Sequence, residues 1–170
     1  MASKKMAVGI IAIIVIAGYF SALYFLGGGT SIIIRSNSDF EKFNFPGNGT
    51  IDDPYIIAGR WISTNPTFGG GFCISIRNTN AYVTIRDCGI SSTRDSGVPV
   101  DFTDASNIVI ESCIIRNARI GIWVFRCDNI EILNNQISNC GTGINLAQTD
   151  TYLITGNSYS DCDTDENLDS

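Results

Sequence analysis

The residues that could do chemistry in this chain are six Cys and 17 Asp and Glu, with no His and with Met only at positions 1 and 6. A soft-metal site would have to be built from thiolates alone, because imidazole is missing and thioether is confined to the extreme N-terminus. No metal and no cofactor is expected. Asp161, Asp163, Asp165 and Glu166 resemble an oxygen-rich calcium loop, but the turn glycine of such a loop is absent, so an acidic solvated tail is the preferred reading. Glycoside hydrolysis asks for two carboxylates about 5–9 Å apart. The acids that a strand pattern turns outward are Asp101, Glu111 and Glu131, and Glu111 and Glu131 fall in different outward columns. No catalytic residue is assigned.

What remains is a surface. Two outward columns are read from the pattern, Ser75, Asp101, Trp123 and Asn145, then Arg77, Thr103, Phe125 and Ala147. Aromatic rings in solvent with polar neighbours mark binding surfaces. Trp123, Phe125, Asp101, Asn145, Arg77 and Thr103 are therefore the expected ligand face. Sugar rings could stack there while Asp and Asn take hydroxyls, or a protein could dock. The alternative is cover from within, by the loop Ser91 to Val98 or by a second copy.

The elements that must position these residues come from a repeat. Ile110, Ile132 and Ile154 stand 22 positions apart; Ile85 precedes Ile110 by 25 and Ile57 precedes Ile85 by 28. A fixed short period means units that bury their apolar faces only by stacking on their neighbours. Each unit holds short runs of period two, which are strands. In one run Val83/Ile85, Ile108/Ile110, Ile130/Ile132 and Tyr152/Ile154 point inward. In another, Ile74/Ile76, Val100/Phe102, Ile122/Val124 and Ile144/Leu146 do. A third column is Ile62, Ile90, Ile115, Ile137 and Tyr159. Rungs of this length with inward Ile columns fit an all-β parallel β-helix of about five rungs, its equivalent residues stacked about 4.8 Å apart. The rival is an ordinary sandwich with coincidental spacing.

The same arithmetic places the cysteines. Cys88 and Cys113 each follow their anchor Ile by three, and Cys140 and Cys162 each follow the third-column residue by three. Each pair shares a column on consecutive rungs, within disulfide reach, so Cys140–Cys162 and Cys88–Cys113 are the disulfide candidates. A stack of free buried thiols is the alternative. Cys73 and Cys127 fall in different columns. The Cys88–Cys113 column continues as Asn135 and Asn157, a structural ladder of turn residues.

Before the repeat, Lys4 and Lys5 precede a charge-free run of 21 residues, Met6 to Leu26. At 1.5 Å per residue it reaches about 30 Å, the hydrocarbon thickness of a bilayer. Residues 1–5 read as a cytoplasmic stub, 6–26 as a single transmembrane signal-anchor helix with the N-terminus inside, and 27–35 as a linker. A cleaved signal peptide is the rival, and a pilin-like filament segment a third reading. Residues 36–54 read as a cap carrying Phe40, Phe43 and Phe45, residues 55–162 as the β-helix and 163–170 as the acidic tail. From Thr30 onward nine Lys and Arg face all 17 Asp and Glu, a net charge of −8. That argues against nucleic acid or an anionic membrane surface as partner. Asn48-Gly49-Thr50 is the one sequon, a candidate for glycosylation at Asn48 outside the cell.

Phe45-Pro46-Gly47-Asn48-Gly49-Thr50-Ile51-Asp52-Asp53-Pro54-Tyr55-Ile56-Ile57-Ala58-Gly59, with Ile74-Ser75-Ile76-Arg77-Asn78-Thr79 and Tyr82-Val83-Thr84-Ile85-Arg86-Asp87-Cys88, resembles the NosD-like family over roughly Ser36 to Cys162. The resemblance implies a right-handed parallel β-helix of the carbohydrate-binding and sugar-hydrolase repeat type, frequent on archaeal cell surfaces. It says little about function, because family members include a copper-site maturation factor, sugar-active enzymes and surface proteins. The copper role does not transfer to a chain without His. The expectation is a membrane-anchored extracellular β-helix with a non-catalytic binding or structural role. Its partners would be the membrane, then envelope proteins, surface glycans or a second copy.

Overall fold

The computed structural model describes residues 31–64, 71–93 and 95–169. Among these no helix is long and apolar enough to cross a membrane, and the expected anchor at 6–26 lies outside the described residues. In chain order come β1 (Ile32–Ile34), a 3-10 turn (Asn37–Asp39), α1 (Phe40–Phe43), β2 (Tyr55–Ala58), β3 (Trp61–Ser63), β4 (Ile74–Thr79), β5 (Val83–Arg86) and β6 (Gly89–Ser91). Then follow β7 (Val100–Glu111), β8 (Ile114–Phe125), β9 (Asp128–Leu133), β10 (Gln136–Ala147), β11 (Thr151–Thr155), β12 (Ser158–Ser160) and β13 (Thr164–Asp169).

All pairings are parallel and join each strand to its equivalent one turn later, so the fold is a parallel β-solenoid with three faces. The first face stacks β1, β4, the start of β7, the end of β8, the end of β10 and β13. The second stacks β2, β5, the end of β7, β9 and β11. The third stacks β3, β6, the start of β8, the start of β10 and β12. Ile57, Ile85, Ile110, Ile132 and Ile154 are paired in register, four steps round the coil, as the spacing predicts.

The three inward columns make one core. Ile57, Ile85, Ile110, Ile132, Ile74, Ile76, Phe102, Ile122 and Val124 are all wholly shielded from water. Each such side chain contributes about 1.5–3 kcal/mol of burial, which a lone rung could not realise.

The corners explain how so short a chain turns so sharply. The corners of the repeat use residues of positive φ, and these too stack; the corner between the first and second faces uses a further pair, Asn107 and Asn129. Asp87, Ser112 and Asn134 (φ 54°, 52° and 54°) share a column with Gly59 and Gly156. A second column is Asn78, Asp104, Arg126 and Gln148, and a third is Asn117, Asn139 and Asp161. Asn and Asp tolerate this conformation best, which accounts for most of the corner residues.

Two boundaries differ from the sequence reading. Part of the expected linker, Ile32–Ile34, is β1 and buries Ile32 and Ile34 in the core. The expected acidic tail is β13, paired along β10 with Asn167 opposite Asn145 and Leu168 opposite Leu146. Stacking on an existing strand overrides the low strand propensity of an Asp-rich stretch. The cap behaves as the three Phe suggest. Phe40 is buried and stacks on Tyr55 at 4.4 Å, Phe43 stacks on Phe45 at 5.3 Å, and Asn44 (φ 49°) ends α1.

Candidate functional site

The register assembles both expected columns. Ser75 lies beside Asp101, Asp101 beside Trp123 and Trp123 beside Asn145; Arg77, Thr103, Phe125 and Ala147 follow in the neighbouring column. These positions alternate with the core residues, so they occupy the outer side of the first face.

They do not all stand in solvent. Asp101 is only 2% exposed and Ser75 only 1%. Three donors hold the Asp101 carboxylate. Ser75 Oγ donates to Oδ2 at 2.7 Å, Arg77 Nε donates to Oδ2 at 2.6 Å, and Thr103 Oγ1 donates to Oδ1 at 3.0 Å. The Arg77 guanidinium lies 4.9 Å from the centre of the Phe72 ring. Asp101, expected to meet ligand, is thus a buried brace between rungs. Its charge is met by an Arg on the preceding rung, because an unpaired carboxylate there would be too costly.

The open part of the face lies one rung on. The Trp123 and Phe125 rings stack at 6.2 Å, both half-buried. The Arg126 guanidinium sits 4.6 Å from the centre of the Phe125 ring and also grips Asp104 in a two-pronged pair, Nε to Oδ1 at 2.7 Å and Nη2 to Oδ2 at 2.6 Å. The Arg126 hydrogen bonds hold the Asp104 carboxyl below its usual range, and Asp104 in turn raises the Arg126 guanidinium. Asn145 is half-exposed beside Trp123. The loop Ser91 to Val98 is tied to the equivalent corner of the following rung, where the Gly97 carbonyl accepts the Arg119 and Ile120 N–H groups.

A polar trough beside this face was not foreseen. It follows the corner between the first and second faces, lined by Asn37, Asn78, Asn80, Asp104, Ser106 and Arg126. A neighbouring hollow shares Asn37 and Asn80 and reaches Tyr55 and Tyr82. The spacing of the corner residues 78, 104, 126 and 148 repeats that of the strands and was the available signal. Asn48 lies on the exposed loop at the end of that hollow, its Oδ1 accepting the Thr50 N–H and hydroxyl.

The cysteine columns form as the arithmetic predicts, but the disulfides do not: Cys73, Cys88, Cys113, Cys127, Cys140 and Cys162 are all free. The physical reason is that the thiols already have work as donors. Cys88 and Cys113 reach the Ile57 and Ile85 carbonyls of the preceding rung at 3.7 and 3.9 Å, and Cys162 reaches that of Ile137 at 3.9 Å. The nearer acceptor of each thiol is the carbonyl two residues back in its own turn, Arg86 for Cys88 and Glu111 for Cys113 at 3.2 Å, Ser138 for Cys140 at 3.3 Å and Ser160 for Cys162 at 3.7 Å. Asn135 and Asn157 make the same bond back to the preceding rung, to Ile110 at 3.0 Å and Ile132 at 2.9 Å. Their Oδ1 atoms each accept the N–H of the previous column member, Cys113 and Asn135, at 2.9 Å. Burial pushes the Cys73 thiol up and the Cys127 thiol up to about 11; the hydrogen bond to Cys88, then burial, pushes Cys113 up. The hydrogen bond from Cys113 pulls the Cys88 thiol down instead, so the protonated donor form is favoured at Cys73, Cys113 and Cys127 and not at Cys88. Among the described residues, no group of three or more His, Cys, Asp and Glu is placed to hold a metal ion.

A family model described as a right-handed β-helix region matches residues 13–159. No curated protein and no solved structure matches the chain.

Proposed function

The chain belongs to the right-handed β-helix family, and from that premise we propose that it is a non-catalytic binding or structural protein of a cell surface, contacting a protein partner through Trp123, Phe125 and Arg126. Because this fold hosts unrelated activities, the reading must rest on the site. The observation that carries it is the Arg126 guanidinium over Phe125 beside a half-open Trp123. Trp, aromatic and Arg side chains clustered without flexible acids around them are the usual anchors of protein contacts. The same guanidinium takes one face of the Phe125 ring, which leaves a smaller platform for stacking a sugar. Asp101, beside Trp123 in the outer column, is committed to Ser75, Arg77 and Thr103 and is poorly placed for acid–base work.

The NosD-like, archaeal surface assignment and anchorage through residues 6–26 belong to this proposal. So does glycosylation at Asn48, which the exposed loop would permit. Glycan binding stays as the second reading, supported by the polar trough with Tyr55 and Tyr82 at its far end.

The test is surface plasmon resonance on the immobilised full chain against a solubilised envelope extract of the source cells. A signal lost on Trp123→Ala, lost on protease treatment of the extract and kept after periodate oxidation of its glycans is expected. A signal that survives protease but not periodate would replace the protein reading with the glycan reading. A signal indifferent to Trp123→Ala would remove the face altogether.

A further inference from the structure

The outer side of the first face carries another hollow, two rungs before Trp123. It has a volume of about 340 Å³ and is lined, among the described residues, by Ser31, Ile33, Arg35, Phe72, Ser75 and Arg77. That is the size of a small-molecule site. The register explains why these residues meet. Ile33 lies beside Ser75, and Arg35 and Arg77 each directly follow a paired residue, Ile34 and Ile76. Alternation therefore sends Ile33 and Ser75 outward in one column and Arg35 and Arg77 outward in the next, on rungs about 4.8 Å apart. Like charges opposed across neighbouring strands are destabilising. An anion between the two guanidiniums would relieve them.

One of the two guanidiniums is already aimed. Arg77 donates through Nε to Asp101 Oδ2 at 2.6 Å and to Ser75 Oγ at 3.1 Å, and its guanidinium lies 4.9 Å from the centre of the Phe72 ring. The Asp101 side chain is 3% exposed, yet that of Arg77 is 37% exposed. A guanidinium carries five N–H donors in a rigid fork. A brace made through Nε therefore holds the Nη edge ready for a planar acceptor, and such preorganisation removes part of the cost of binding. Charge and shape then select the ligand. Arg35 and Arg77 against Asp101 leave one positive charge at the hollow, in a chain whose net charge is −6. Asp39 does not cancel it, because Asp39 accepts the Arg35 main-chain N–H at 2.8 Å and pairs with Lys42. Ile33 and Phe72, both half-buried, add an apolar wall.

We infer that this hollow is a binding site for a small monocarboxylate with an apolar body, its carboxylate held by the Arg35 and Arg77 guanidiniums and its carbon frame against Phe72 and Ile33. Two charge-assisted hydrogen bonds from a fork suit a carboxylate, and the single charge matches. A phosphate dianion would bring more charge than the hollow balances and would leave the apolar wall bare. The site goes beyond the protein contact proposed at Trp123, and neither it nor its test involves that ring, so the two readings fail separately.

The experiment titrates the full chain with benzoate in an isothermal calorimeter at neutral pH, with benzamide and inorganic phosphate as comparison probes. Benzoate should bind at least about tenfold tighter than benzamide, its neutral counterpart, and tighter than phosphate. Its affinity should fall as salt rises from about 0.05 to 0.5 M. Arg35→Gln should lower the benzoate affinity at least about tenfold while leaving the Arg77–Asp101 brace in place. Arg77→Gln should lower it as much, but that change also unpairs the buried Asp101, so Arg35→Gln is the deciding variant. Arg86→Gln, which removes an exposed Arg on the second face, should lose none. No measurable benzoate binding, equal binding of benzoate and benzamide, or tighter binding of phosphate would overturn the proposal. So would an Arg35→Gln affinity no lower than that of Arg86→Gln.

Discussion

Asn135→Ala should be among the most damaging single polar substitutions in this protein. Asn135 is wholly buried. Its Oδ1 accepts the Cys113 N–H at 2.9 Å and its Nδ2 donates to the Ile110 carbonyl at 3.0 Å. Truncation leaves one buried donor and one buried acceptor without these partners, in a corner already folded tightly around a positive-φ residue at 134 (φ 54°). A buried group left unsatisfied costs about 1–3 kcal/mol, so the pair predicts a loss of about 2–5 kcal/mol. The column itself supplies the control. Cys88 and Cys113 hold equivalent positions with thiols that donate to the equivalent carbonyls, so Asn135→Cys should cost about 1 kcal/mol, the difference between an amide and a weaker thiol bond. Urea melts followed by circular dichroism read both as midpoint shifts at unchanged slope. An Asn135→Ala loss below about 0.5 kcal/mol, or an Asn135→Cys loss equal to it, would refute the claim that this ladder stabilises through side-chain donation.

Native alkylation with iodoacetamide should modify mainly the half-buried Cys162 and spare Cys73, Cys88, Cys113, Cys127 and Cys140, as mass spectrometry before and after unfolding would reveal; rapid labelling of Cys113 in the folded chain would contradict its buried donor role. Phe40→Ala should cost about 3–5 kcal/mol by opening the cap, read in the same melts, and a loss under about 1 would mean the cap is dispensable. Asp101→Ala should cost about 2–3 kcal/mol, moderated because the Arg77 side chain is 37% exposed and can reach water once its partner is gone. A neutral outcome there would return Asp101 to the ligand face.

The sequence carried the register because the inward positions are Ile and Val on almost every rung, and a period of 22 cannot slip by one without turning those side chains outward. It carried the Asn135–Asn157 ladder because Asn and Cys recur at one offset from the anchor. Other features were harder to read. Thr164-Asp165-Glu166-Asn167-Leu168-Asp169 has little intrinsic strand character, and only the preformed edge of β10 makes it a strand. Asp101 looked like an outward acid because alternation fixes which side of the sheet a residue takes, not whether the Arg77 side chain closes on it. The disulfides failed for a related reason. Column arithmetic sets the rung spacing but not the direction of each thiol, and carbonyls in its own turn and one rung back compete for it.

The central claim is that one register sends Ile132 into the core and Trp123 to a contact face. Its most direct test measures both variants in both assays, urea stability and resonance binding to envelope extract. Ile132→Ala should lose about 2–5 kcal/mol of stability, because neighbours Ile110 and Ile154 relax poorly around the cavity, and the folded fraction should bind normally. Trp123→Ala should lose about 1 kcal/mol, mostly its stack on Phe125, and should abolish binding. Trp123→Ala as the more destabilising change, with binding per folded molecule intact, would contradict the account.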